Sequence, residues 1–174
     1  MRAKSIGRLA GLAILATSFA AANTGTAVAI AGDTTIEYAD NDNAMNAAQS
    51  QAQDTLPKFF QRVLSDDGHL LQDAGVKVAV PTSNDGLEII WVSPFMKENN
   101  GFVGLLANDP ESFEGQVGDP IAFSADQVRD WYVFGDNGKM YGNFTTRVML
   151  ADMSPELASQ IQDMLAPAPL PDTW

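Results

Sequence analysis

Behind a short segment carrying Arg2, Lys4 and Arg8, the residues from Leu9 to Ala22 run fourteen positions without a charge. A membrane-spanning helix needs about 20 apolar residues, so this run is short for a span and fits the apolar stretch of a cleavable export signal. The chain then turns polar at Asn23-Thr24-Gly25 and offers small residues at the −3 and −1 positions of three bonds, after Ala22, Ala29 and Ala31. The last two leave a polar stretch behind the apolar run and are the favoured cleavage points. Residues 1–31 are read as a signal peptide, which withdraws them from the folding unit and addresses the rest to the periplasm or the exterior.

What remains is acidic. The leader holds three of the ten basic residues and no acid, so its removal leaves 7 basic against 22 acidic residues, a net of −15. That sign repels phosphate backbones and anionic headgroups, which argues against nucleic acid as a partner and against membrane insertion of the mature chain. There is no cysteine, which excludes disulfides and thiol catalysis, and His69 is the sole histidine. Histidine-built zinc sites and Ser-His-Asp triads are nearly closed off. Asp40-Asn41-Asp42-Asn43 lacks the central glycine of a calcium loop and has Gln51 where its last ligand would stand. Asp66, Asp67 and His69 have no second ligand cluster at a useful spacing. Neither a metal nor a cofactor is expected.

The hydrophobic period sets the fold class. Residues 32–42 read as a flexible lead-in. Met45, Ala48 and Ala52 recur at helical spacing behind Asp42 or Asn43 as cap. Pro57 predicts a break near Asp54-Thr55, with a second helix carrying Leu56, Phe59, Phe60, Val63 and Leu64. After residue 74 the period falls to two. Val76, Val78 and Val80 alternate with Lys77 and Ala79 as a half-buried strand closed by Pro81. Leu87 to Val92 is apolar on both faces and reads as a central strand ended by Pro94. Further strands are expected at Phe102 to Ala107, Pro120 to Phe123 and Trp131 to Phe134. Ser124 and Gln127 match a capping box, and Asp136-Asn137-Gly138 is a hairpin turn.

The last strand is expected to be long, with Met140, Phe144, Val148 and Leu150 on a core face and Tyr141, Asn143, Thr145 and Arg147 on a polar one. Ser154 and Pro155 open a C-terminal helix with Leu157, Ile161, Met164 and Leu165 as its apolar stripe. Pro167, Pro169 and Pro171 make an extended tail, 167–174, expected to add little to the core. The reading is α+β: one curled antiparallel sheet of about six strands, open or partly closed like a small barrel, with terminal helices packed on a domain spanning residues 43–166.

An ordered set of short pieces runs through this domain: Leu56-Pro57 with Phe59-Phe60, Val76-Lys77-Val78, Glu88-Ile89-Ile90-Trp91, Gly104-x-Leu106-x-Asn108-x-Pro110, Gly118-Asp119, Asp130-Trp131 and Tyr141-Gly142-x-Phe144-Thr145-x-Arg147. Together they resemble the bacterial DUF2314 family, also called YegJ-like. The resemblance covers residues from about 44 to 150 and implies no reaction. Ile89 stands where the family usually has a histidine.

The candidate ligand-binding residues are Asn108, Asp119, Asp130, Trp131, Tyr141 and Arg147, at strand ends and on the polar face of the last strand. Arg147 is expected to pair with Asp130 across the hairpin. Trp91, Trp131 and Tyr132 are expected in the core, with one of the adjacent pair on the opposite sheet face, where it could offer a platform to a glycan or a peptide. No catalytic signature emerges. The leading functional expectation is a non-enzymatic binding or protein-interaction module of the cell envelope, with a small polar ligand or another protein as partner. The alternatives are an envelope hydrolase using Asp119 or Asp130 with Tyr141 and Arg147, and an inhibitor of another exported protein.

Overall fold

The structure is a computed structural model and describes residues 6–9, 36–39, 42–83 and 86–174. The leader's apolar run beyond Leu9, its cleavage points, most of the lead-in and residues 84–85 lie outside the described residues.

Among the described residues eleven main elements follow one another: β1 (Ile6–Leu9), β2 (Ile36–Ala39), α1 (Asn43–Val63), β3 (Ala74–Pro81), β4 (Leu87–Glu98), β5 (Gly101–Leu106), β6 (Pro120–Phe123), β7 (Val128–Phe134), β8 (Met140–Gly142), α2 (Phe144–Met149) and α3 (Pro155–Met164). The sheet's body is six antiparallel strands in the order β6-β5-β4-β3-β7-β8. It does not close into a barrel, so the α+β reading stands and the barrel variant does not. β1 adds in parallel beside the first half of β4, at Arg8↔Glu88 and Leu9↔Ile89, and β2 pairs antiparallel with β1.

The first face of the sheet is covered by α1. Asp42 caps that helix, accepting from the Met45 N–H at 2.9 Å. Ala48, Ala52, Leu56, Phe59 and Val63 bury one stripe against Val76, Val78, Ile90, Val92 and Trp131. The expected break at Asp54-Thr55 does not occur, and α1 runs unbroken through Pro57. Pro57 is exposed, so the carbonyl it leaves without a partner faces water. A proline inside a helix costs about 3 kcal/mol, whereas each large side chain of the stripe stabilises by about 1.5–3 kcal/mol when buried. Continuity of the stripe wins.

The second face is covered in part. Ile161 and Leu165, in and just after α3, pack with Trp91, Tyr132 and Met140. Trp131 and Tyr132 thus bury on opposite faces, as their adjacency in a strand demands. With both faces covered, β3 is not half-buried: every residue from Ala74 to Ala79 is buried, Lys77 included. β4 does not stop at Pro94 either. The register shifts between Val92 and Phe95, and Pro94 sits in that bulge, where a strand tolerates a missing N–H.

The expected long last strand is also corrected. β8 ends at Gly142, whose φ of 74° and contact with the Trp131 carbonyl leave no room for a Cβ. Asn143 follows in the left-handed region at φ 54°, and α2 begins. The apolar residues Met140, Phe144 and Val148 are four apart, a spacing that suits a strand face and a helix face equally.

The tail is not the extended segment expected: it bends at residues 167–170, turns at 172–173 with the Trp174 N–H donating to the Pro171 carbonyl at 3.0 Å, and docks. The Gly142 N–H donates to the Pro169 carbonyl at 2.7 Å, Leu170 and Trp174 pack on the main core, and Trp174 stacks on Trp131 with ring centroids 5.4 Å apart. Truncation after Ala166 should therefore lower the melting temperature by more than ~5 °C, since losing two half-buried apolar side chains costs roughly 2 kcal/mol in a domain of this size. A thermal scan showing less than ~2 °C would mean that the tail rests on the fold without supporting it.

Candidate functional site

Lys77 and Asp130 are direct cross-strand partners on the second face of the sheet. Lys77 is 1% and Asp130 0% exposed. Lys77 Nζ donates to Thr145 Oγ1 at 2.9 Å, and Thr145 Oγ1 donates in turn to Asp130 Oδ2 at 2.6 Å. Asp130 also accepts the backbone N–H groups of Trp131 at 2.8 Å, Phe144 at 3.1 Å and Thr145 at 2.8 Å. The last two are the opening residues of α2, so a carboxylate from β7 satisfies amides that the helix itself cannot. Lys77 Nζ lies 4.9 Å from the centre of the Trp91 ring, whose electron-rich face favours the cation.

Burial sets the protonation of this pair. It pulls the Lys77 ammonium down to about 8, against the pull of Asp130. It pushes the Asp130 carboxyl up, opposed by Lys77 and by the hydrogen bonds from Thr145 and Trp131.

Arg147 is not the cation that Asp130 pairs with. It stands in α2, its Nε donates to the Gly142 carbonyl at 3.0 Å, and its Nη2 is buried without a hydrogen-bond partner. Burial lowers its pKa, and the charge of Asp130 works against that. Asn143, fully buried, accepts from Thr146 Oγ1 at 3.3 Å. Trp131 belongs to the core: its Nε1 donates to the Ala52 carbonyl and to Thr55 Oγ1, both at 3.1 Å, and its ring stacks on Phe59 at 4.7 Å.

Asn108 and Asp119 belong to a separate loop between β5 and β6. Asn108 Oδ1 accepts the Trp91 N–H at 3.2 Å, and Asp119 Oδ2 accepts the Gln116 N–H at 2.9 Å. The buried Glu88 holds the same loop to the sheet through the N–H groups of Glu111 at 2.8 Å and Ser112 at 2.7 Å. The Asn108 oxygen is spent on a β4 amide, and those of Asp119 and Glu88 on loop amides.

Tyr141 lines an open cleft of about 330 Å³ between the β7–β8 turn and the docked tail. Gln72, Asn137 and Trp174 share its wall, and Asn137 Nδ2 donates to the Tyr141 hydroxyl at 3.2 Å. The six sequence candidates thus divide into three places: Asp130, Trp131 and Arg147 around the start of α2, Tyr141 in the cleft, and Asn108 with Asp119 in the loop. Lys77, Thr145 and Trp174 were missed. The alternation around Lys77 pointed it at solvent; the only signal against that was an acid, Asp130, in a strand able to pair with its own. No group of His, Asp or Glu among the described residues is placed to hold a metal ion.

An open antiparallel sheet with a long N-terminal helix on one face, a short helix α2 packed against that helix, a C-terminal helix on part of the other face, and a buried Lys–Thr–Asp chain defines a small α+β domain. That domain matches the DUF2314 family, described as an uncharacterized protein conserved in bacteria, over residues 42–165. The chain belongs to this family. Comparison with curated proteins and with solved structures gives no match.

Two outcomes follow for the buried pair. Asp130→Ala strands the ammonium and two helix amides, and should cost about 3–5 kcal/mol in urea melts, whereas Arg147→Ala should cost about 1 kcal/mol; equal losses would return Arg147 to the role of main partner. The second concerns pH. Lys77 has a folded pKa near 8 against a reference of 10.5, so between these values the unfolded chain binds the proton that the folded one has released. Stability from this group therefore rises with pH across that window. Tyr132, pushed up to about 12 from 10.0, opposes it only above pH ~10. Urea midpoints should be higher at pH 9.5 than at pH 7.5 in the wild type, and the rise should vanish in Lys77→Met.

Proposed function

We propose that this is an exported protein of the cell envelope, periplasmic or secreted, that works by binding and not by catalysis. The leader pattern supports export. The acidic surface supports a partner that is neither nucleic acid nor bare anionic membrane, and no helix among the described residues is long and apolar enough to cross a bilayer.

One observation carries the binding reading. The carboxylates that a hydrolase would use are engaged by the fold: Asp130 is sealed in the interior with both oxygens occupied, and Asp119 is tied to its own loop. Tyr141 and Trp174 instead stand at an open cleft whose wall offers amides, hydroxyls and one side-chain carboxylate, Asp136. Such a wall suits a small neutral polar ligand or a peptide end, held by aromatic surface and a few hydrogen bonds.

The test uses the full chain expressed in its own cells. Intact mass should place the mature N-terminus near Ile30 or Gly32 in the soluble envelope fraction, and the immobilised mature protein should retain a ligand or protein from that fraction that Tyr141→Ala loses. Retention of residues 1–22 on a membrane-bound form would overturn export. Hydrolysis of an envelope substrate, abolished by Asp119→Asn, would overturn the binding reading.

A further inference from the structure

The covering of the second sheet face stops short. α3 packs over Trp91, Tyr132 and Met140, but no element lies over the second half of β4, β5 and β6 among the described residues. There the registers Met96↔Val103 and Val103↔Ala122 align one outward row across three strands. Leu105↔Pro120, with Pro94 at the neighbouring bulge, makes a second row beside it. The opposite face of the same strands carries Phe95, Phe102 and Phe123, which are core. Alternation therefore requires the two rows to face out, and Met96 is 38% and Leu105 37% exposed.

A half-solvated antiparallel strand ordinarily puts polar side chains on its wet side. None of these six outward side chains carries a charge or a hydrogen-bonding group. Among the described residues β6 has no strand beyond it, so the face runs to an open edge. Contiguous apolar surface of this kind marks an interaction site.

Charge identifies the occupant. Glu98 closes the Met96 row on the outward side, Glu114 stands exposed on the loop before β6, and Asp126 is exposed on the turn after it. Of the nearby cations, Lys97 falls on the inward register position opposite Phe102, and Arg129 folds back to the Asp126 carbonyl at 2.7 Å. A second copy of so acidic a chain would bring like charges together around the rim. We infer that the outer face of β4, β5 and β6 docks a protein whose contact surface is apolar at its centre and basic around it. This rests on the binding reading and names its protein partner. The apolar rows supply affinity, and the acidic rim supplies steering and discrimination.

The experiment places a photo-crosslinking amino acid at position 103 of the full chain in its native cells, with positions 51 on α1 and 141 in the cleft as comparisons. The expected result is one adduct at position 103, absent at position 51, with an exported protein of net positive charge. Purified, that protein should bind the mature chain at least ~10-fold more weakly after Leu105→Glu or after Glu98→Lys, and more weakly in high salt, with urea midpoints of the exposed-site variants unchanged. An adduct with a second copy, with lipid or with an acidic protein, or none at position 103, overturns the proposal. Adducts at position 141 without any at position 103 would leave the binding reading standing and remove this surface alone.

Discussion

The carboxylate of Asp130 is the point on which the C-terminal half of the domain turns. It lies in the interior opposite Lys77 and draws the first amides of α2 onto itself, ending β8 at Gly142. A charge in that position is costly to bury, and the cost is offset only because the opposite charge, a hydroxyl and three amides converge on it. Remove the carboxylate and the turn into α2 has no reason to form where it does. Both the docking of the tail on Gly142 and the placement of Tyr141 in the cleft wall follow from that turn.

The same interaction explains what could be read in the sequence and what could not. The stripe of α1 and most of the strands were legible because apolar residues repeat at the helical or strand period in the sequence, as from Met45 to Val63 and at Val76, Val78 and Val80, although β3 is buried on both faces. The last strand was misread because Met140, Phe144 and Val148 fit both periods, and the tie-breaker was a carboxylate ten or more positions upstream. Lys77 and Asp130 were each visible, but their pairing is a cross-strand fact that no local window contains. Pro57 and Pro94 failed as punctuation for a shared reason: one faces water and the other sits in a bulge, so neither removes a hydrogen bond that the fold needs. Trp174 was read as part of a loose tail because a proline-rich segment has no period to reveal what it packs against.

Function follows the same division between inside and outside. The chemistry-bearing residues the sequence offered, Asp130, Trp131 and Arg147, turn out to be fold-building or half-enclosed, and Asn108 and Asp119 fasten a loop. The surface keeps two features that the interior does not absorb: the cleft under the C-terminal tail and the uncovered apolar rows of β4, β5 and β6. On the proposed reading of an exported acidic protein, both would serve recognition.

Hydrogen–deuterium exchange at the amides of Phe144 and Thr145 tests the central role of Asp130 most directly. If the carboxylate holds the start of α2, these two amides exchange in the wild type only through global unfolding, with protection equal to that of the central strand β3. In Asp130→Asn they should exchange by local opening while β3 stays protected. Rapid exchange of both amides in the wild type, at the rate of an ordinary frayed helix end, would contradict the account.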